Sequence, residues 1–129
     1  MHHLPLAGMR ILIMEDEVLI AMDVEQLCRD HGAAEVVLVA KLEGLGSDPF
    51  SGRAFHAAIL DVTLAGQSTL AFAAELLKRG VPFVFATGYA DAEGLFDAFP
   101  GVAVIDKPYA GGTLMAALVR AIARTAPGP

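Results

Sequence analysis

The sequence contains one cysteine, Cys28, among its 129 residues. A single cysteine permits neither an internal disulfide nor a metal site built from several cysteines, and this usage fits a reducing cytoplasm. Long apolar runs are also lacking, since uncharged stretches such as 62–74 end well short of the roughly 18 residues of a membrane-spanning helix. The N-terminal residues have neither the basic start nor the apolar centre of a signal peptide. We therefore expect a cytoplasmic chain without membrane insertion.

Basic side chains are scarce. There are 9 lysines and arginines against 15 aspartates and glutamates, which gives a net charge of −6. Direct binding to nucleic acid is therefore not expected, because it requires many phosphates to be neutralised by basic groups. Hydrophobic residues form 55% of the chain, so disorder is excluded and one sizeable core is expected. We interpret residues 1–8 as an N-terminal extension, 9–124 as a single domain and 125–129 as a tail.

Short apolar runs alternate with longer amphipathic segments along the chain. The short runs predict five strands, at 10–14, 35–39, 57–61, 81–86 and 101–105. The amphipathic segments predict helices at 18–31, 69–79, 91–99 and 113–124, with only a short or irregular helix within 41–53. Strands and helices in alternation, with nearly continuous apolar strands, predict an α/β domain: a doubly wound parallel sheet with helices on both faces. Cys28 is expected to pack in its core.

Charged and hydroxyl side chains follow four of the predicted strands, and these residues are Glu15, Asp16, Asp61, Thr87 and Lys107. Ligands of such sheets bind beyond the carboxyl ends of the strands, so we expect these side chains to converge at one edge. Three carboxylates in one cleft repel one another unless a cation neutralises them, and hard oxygen ligands suit Mg²⁺. An aspartate beside such an ion can attack phosphorus, while a lysine and a hydroxyl hold the other phosphoryl oxygens.

With these residues the chain resembles the receiver domains of two-component response regulators. The resemblance extends from about residue 9 to residue 124 and is carried by ILIMEDE (11–17), AAILDVTL (57–64), PFVFATGY (82–89) and DKPY (106–109). It implies a flavodoxin-like, CheY-like sheet of five strands in the order 2-1-3-4-5. It also implies that a histidine kinase or a phosphotransferase protein donates a phosphoryl group, and that the signal passes to a downstream protein by contact. The chain would be no enzyme beyond self-catalysed phosphoryl transfer and autodephosphorylation.

The resemblance implies a role for each residue around the phosphoryl group. Asp61 would be the phosphoacceptor and a Mg²⁺ ligand. Asp16 would bind the metal directly, Glu15 would act through water, and Thr63 would supply its backbone carbonyl. Lys107 would bind the phosphoryl group.

The resemblance further implies a switch element in the segment that follows the fourth strand. Thr87 would be the switch hydroxyl, and Gly88 and Tyr89 are further candidates for the switch. Most receivers carry an aromatic residue on the fifth strand where this chain has Val104. In the PFVFATGY segment, and in the lack of this aromatic residue, the chain resembles the "FATGUY" receivers. These receivers work with HWE-type and HisKA2-type histidine kinases, and some of the receivers act in general stress signalling. The Lys107–Pro108 peptide bond is expected to be cis.

Several alternatives to an activating receiver stay open at this point. Only five residues follow the last predicted helix, so we expect a stand-alone regulator without an output domain. A phosphate sink and a pseudo-receiver that works without phosphorylation are compatible with the sequence. A dehalogenase-type phosphatase would need a second acid two residues after its nucleophile, where this chain has Thr63. A flavodoxin-like FMN carrier would need a phosphate-binding loop in place of the acidic residues 15–17.

Overall fold

The computed structural model describes residues 4–52, 54–88 and 94–125. The elements in chain order are β1 (Arg10–Met14), α1 (Val18–Asp30), β2 (Glu35–Val39), a 3₁₀ helix (Leu42–Leu45), β3 (Ala57–Leu60), β4 (Thr63–Leu64), β5 (Gln67–Ser68), α2 (Leu70–Lys78), β6 (Phe83–Thr87), β7 (Val104–Asp106) and α3 (Gly111–Thr125). Within the described ranges, no helix has the length and apolar character that crossing a membrane requires.

Five strands form one parallel sheet in the order β2-β1-β3-β6-β7. This is the predicted order 2-1-3-4-5 once the two short strands β4 and β5, which pair with each other, are left out of the count. The register aligns the strand ends, since Met14 pairs with Leu60 and Thr87 pairs with Asp106. The residue that follows each of β1, β3 and β7 therefore lies at the same edge of the sheet.

Alternate residues of the central strands feed two separate cores, as expected for strands buried on both faces. On one face, Ile13 and Ile59 pack with side chains of α1 and α3, and Cys28 is fully buried among them. On the other face, Leu60 and Phe85 pack with side chains of α2 and of the segment before β7. The sheet is thus covered on both sides, and its carboxyl edge is left for a site.

The structure corrects several predicted elements. The predicted helix at 91–99 is wrong where the structure describes it, because 94–98 form turns and Gly94 has φ +76°, which a helix does not accommodate. The fourth and fifth strands begin later than predicted, at Phe83 and Val104. The β4–β5 hairpin directly after the third strand was not predicted. The Lys107–Pro108 peptide bond is cis, as expected.

Candidate functional site

Three carboxylates meet at the carboxyl edge of the sheet. Glu15 and Asp16 follow β1, and Asp61 follows β3. Each of the three offers one carboxylate oxygen, and these oxygens all lie within 4.8 Å of one another. Glu15 and Asp61 are buried, whereas Asp16 is exposed. The convergence that the strand ends predicted is therefore present for all three acids.

Lys107 joins this cluster from the end of β7. Its ammonium group donates to Glu15 Oε1 at 2.5 Å and to Asp61 Oδ2 at 2.9 Å. The side chain is 14% exposed, so both contacts are largely shielded from solvent. Burial disfavours the charged lysine, but the hydrogen bonds and the negative charges of the two carboxylates together outweigh this effect and raise the pKa of Lys107. Lys107 is thus held as a cation between two acids.

The pKa of Glu15 is raised, whereas the carboxyl group of an ordinary salt bridge has a lowered pKa. Burial raises the pKa of Glu15, while its hydrogen bonds from Lys107 and from the backbone N–H of Glu17 lower it and compensate only in part. The phenol of Tyr109 is affected too, because burial and the charge of Glu15 raise its pKa. The hydrogen bonds that Glu15 accepts therefore do not fully offset the cost of burying its carboxylate.

The donor set fits a hard divalent cation. Two anionic charges remain after Lys107 is counted against the three carboxylates, and oxygen ligands of this kind suit Mg²⁺ more than softer metals. Asp16 is already held in place, since its Oδ2 accepts the backbone N–H of Ala65 at 2.9 Å. The cluster opens onto a depression of about 510 Å³. Its lining residues are Asp16, Glu17, Asp61, Thr63, Gly88 and Lys107.

The remaining predicted site residues lie at different depths. Thr63 lines the depression, and its backbone N–H lies 3.4 Å from Asp61 Oδ1. Gly88 also lines it, whereas Thr87 is fully buried at the end of β6 and is not part of the lining that the described residues form. The backbone carbonyl of Thr87 accepts the N–H of Lys107 at 3.0 Å, so these two residues are tied through β6 and β7. Tyr89 lies outside the described residues.

Two residues that contact the site were missed by the sequence analysis. Ala65 lies in the turn of the β4–β5 hairpin and contacts Asp16. Thr69, which sequence periodicity identified only as the start of a helix, donates its hydroxyl to the backbone carbonyl of Asp61. Gly66, which follows Ala65, was the only local signal in the sequence for the turn of the β4–β5 hairpin.

Comparison with known proteins gives matches among solved structures alone. No model of a known protein family matches the sequence, and no curated protein matches it. The receiver domain of the PhyR response regulator from Erythrobacter litoralis is 24% identical with a TM-score of 0.74, and the match covers 95% of this chain and 97% of that domain. The HemR receiver domain from Leptospira biflexa is 25% identical with a TM-score of 0.77, and the match covers 95% and 100% of the two chains.

A further match is the structure of a PhyR stress response regulator, at 29% identity and a TM-score of 0.69. It covers 89% of this chain but only 45% of the longer regulator. The structural neighbours are thus receiver domains of response regulators at low sequence identity, and they support a response regulator role for this chain. The narrower assignment to the "FATGUY" receivers stays a prediction from the PFVFATGY segment.

Proposed function

We propose that this chain is a response regulator receiver that accepts a phosphoryl group on Asp61 and signals by contact with another protein. The observation that carries the proposal is the position of the Asp61 carboxylate. It lies between the Lys107 ammonium group and two further carboxylates, at the border of an open depression. The receiver fold of the structural neighbours supports the same function.

In the proposed reaction, one carboxylate oxygen of Asp61 attacks the phosphorus atom of a donor phosphohistidine. A P–O bond forms while the P–N bond of the donor breaks, and the electron pair leaves with the imidazole nitrogen, which takes up a proton. Lys107 contacts Asp61 Oδ2 and so is placed to bind a phosphoryl oxygen. Mg²⁺ held by Glu15, Asp16, Asp61 and the Thr63 carbonyl would offset the negative charge of the transferred group.

The proposed chemistry ends with hydrolysis of the acyl phosphate. Water attacks the phosphorus, the bond to the Asp61 oxygen breaks, and inorganic phosphate leaves the free carboxylate behind. We propose no reaction on other substrates, because the position at which a dehalogenase-type phosphatase carries its general acid is occupied by Thr63. The chain therefore catalyses only its own phosphorylation and dephosphorylation.

We extend the proposal to the donor and the pathway. The donor would be a histidine kinase of the HWE or HisKA2 type, or a phosphotransferase protein, and the exchange would take place in the cytoplasm. The "FATGUY"-like segment at 82–89 supports this choice of kinase. Two of the three matched structures named above are PhyR proteins, and one of them is described as a stress response regulator. On these grounds we propose a role for the chain in general stress signalling.

Incubation with a phosphorylated histidine kinase or with acetyl phosphate tests the proposal, with intact-mass spectrometry as the readout. We expect the wild-type protein to gain one phosphoryl group in the presence of Mg²⁺ and none in EDTA. Asp61→Asn should gain none, whereas Asp97→Asn, an exposed acid outside the cluster, should behave like the wild type. Phosphorylation of Asp61→Asn at the wild-type rate would rule out Asp61 as the acceptor.

A further inference from the structure

Thr69 is a fully buried polar residue immediately before α2. Its hydroxyl oxygen lies 2.6 Å from the backbone carbonyl of Asp61 and 3.1 Å from that of Val62. A threonine at the start of a helix ordinarily uses its oxygen to accept a backbone N–H of that helix. Thr69 makes no such cap and instead donates back toward the end of β3. Its hydroxyl therefore serves the segment that carries the predicted phosphoacceptor.

The contacts of Thr69 close the base of the β4–β5 hairpin. Its backbone N–H donates to the Val62 carbonyl at 2.8 Å, and its hydroxyl proton is shared between the carbonyls of Asp61 and Val62. Thr63 is the next residue along the hairpin, and its backbone carbonyl is the predicted fourth metal ligand. At the tip of the hairpin, Ala65 donates its N–H to Asp16. One buried residue thus fixes the start of a segment that touches two of the predicted metal-binding carboxylates.

The backbone N–H and the side chain of Asp61 are held by further hydrogen bonds. Its backbone N–H donates to the Met14 carbonyl at 3.0 Å, which ties it to the end of β1. Its side chain is bound by Lys107. The bond from Thr69 to the Asp61 carbonyl completes this arrangement, because it sets the orientation of the peptide unit that leads from Asp61 into the hairpin.

We propose that Thr69 is a positioning residue for the metal and phosphoryl site, acting through its hydroxyl on the main chain of Asp61 and Val62. This inference rests on the proposed function and adds to it a residue that does not touch the metal or the phosphoryl group. Loss of the hydroxyl should loosen the hairpin base, so that the carboxylate of Asp61 and the carbonyl of Thr63 no longer present a preorganised set of oxygens.

The test compares variants that differ in the hydroxyl. Thr69→Val keeps the shape but removes the hydroxyl, whereas Thr69→Ser keeps the hydroxyl. Mg²⁺ affinity is measured by calorimetric titration, and beryllofluoride affinity is measured alongside it. We expect Thr69→Val to bind Mg²⁺ about three- to tenfold more weakly than the wild type, the range produced by losing one neutral hydrogen bond. Thr69→Ser should bind nearly as the wild type does.

Two controls separate positioning from stability. Thr125→Val removes a hydroxyl that donates to the Ala121 carbonyl in α3, and it should leave Mg²⁺ affinity unchanged. Thermal unfolding in EDTA reports the stability of each variant, and amide hydrogen exchange at 61–65 reports how firmly the segment is held. If Thr69→Val does not fold, Thr69→Ser and Thr69→Ala form a second pair that differs only in the hydroxyl.

The outcomes are distinct. Weaker binding in the variants without the hydroxyl, with recovery in Thr69→Ser and faster exchange at 61–65, supports the positioning role. Wild-type affinity in Thr69→Val overturns it, and so does an equal loss in Thr69→Val and Thr69→Ser, since that would indicate packing alone. A wild-type protein that binds no Mg²⁺ would instead refute the metal site of the proposed function, and the inference would fall with it.

Discussion

Replacing Lys107 with methionine is the most direct test of the charge balance in the site. Methionine preserves much of the apolar stem but removes the cation that bonds Glu15 and Asp61. The two carboxylates would then face each other and Asp16 without the ammonium group that now lies between them. In metal-free protein we expect a large loss of stability, because two buried acids would remain without a compensating charge.

The magnitude follows from the burial of the three side chains. Lys107, Glu15 and Asp61 are 14%, 5% and 11% exposed, so the pair energies of solvent-exposed salt bridges do not apply. Breaking a buried ion pair by removing one partner costs about 3–5 kcal/mol. The depression beside the cluster admits water, so we expect the lower end, about 3 kcal/mol. For a domain of this size, such a loss lowers the melting temperature by roughly 10 °C.

The loss should depend on pH in a defined direction. Burial already raises the pKa of Glu15 above its ordinary 4.5, and the bond from Lys107 opposes that rise. Without Lys107 the pKa rises further. A carboxyl group with a raised folded-state pKa stabilises the fold below its unfolded pKa, and this contribution is lost as pH increases through the folded-state value. The deficit of Lys107→Met should therefore shrink as pH falls from neutral toward 4.5.

Thermal unfolding in EDTA across this pH range provides the measurement. Lys78→Met serves as the control, because Lys78 is an exposed lysine in the last turn of α2. Adding Mg²⁺ should also restore part of the lost stability, since a bound cation would stabilise the folded state. Unfolding of Lys107→Met within about 3 °C of wild type at neutral pH would refute the reasoning, because an exposed pair costs no more than about 1 kcal/mol.

Three further predictions concern the metal site, the buried cysteine and the turn after α1. Asp16→Ala should weaken Mg²⁺ binding in a calorimetric titration far more than Glu17→Ala does. The reason is that the carboxylate of Glu17 lies outside the group of converging carboxylate oxygens. Equal losses of Mg²⁺ affinity in the two variants would contradict this difference in role. Burial raises the pKa of the Cys28 thiol to about 11, so iodoacetamide should modify it at pH 8 only as fast as the protein unfolds, and rapid labelling of folded protein would contradict its burial. Gly32→Ala should lower the free energy of unfolding, measured in urea, by about 1–3 kcal/mol. The φ angle of Gly32 is +100°, and an added Cβ would lie 2.8 Å from a side-chain atom of the N-terminal segment. Gly112→Ala in α3 is the control and should not destabilise the protein, because a Cβ there has no atom within 4 Å.

The sheet and the positions of the acids could be predicted from sequence because both depend on local patterns. The strands β1 (Arg10–Met14) and β2 (Glu35–Val39) have the predicted bounds, and in each case a charged residue begins the strand and four apolar residues follow it. The alternation of strands and helices then fixes which strand ends share an edge. Glu15, Asp61 and Lys107 were placed together by this reasoning alone.

The fifth strand shows where local patterns fail. Apolar character begins at 101–102, but the ladder begins only at Val104, where the chain first lies opposite Phe85. Before that point, the N–H of Val102 donates to the Phe99 carbonyl in a turn. β7 is an edge strand with one neighbour, so the length of its ladder is set by how long it follows β6 rather than by its own composition. Strand propensity could not reveal that limit.

The hairpin after Asp61 was beyond local prediction for a different reason. Each of its strands has two residues, and Gln67 and Ser68 are exposed residues with little preference for a strand. Its turn places Ala65 at φ +49°, a conformation in which glycine or asparagine is ordinarily found. The contact at the tip of this turn is distant in sequence, since Ala65 bonds Asp16 across 49 positions, and the base is held by the bond from Thr69 to the carbonyl of Asp61. Departures from local preference are expected where a fold positions a functional site. Ala65, the residue in the unfavourable conformation, donates its N–H to the predicted metal ligand Asp16, so a contact of the site itself helps to maintain this conformation.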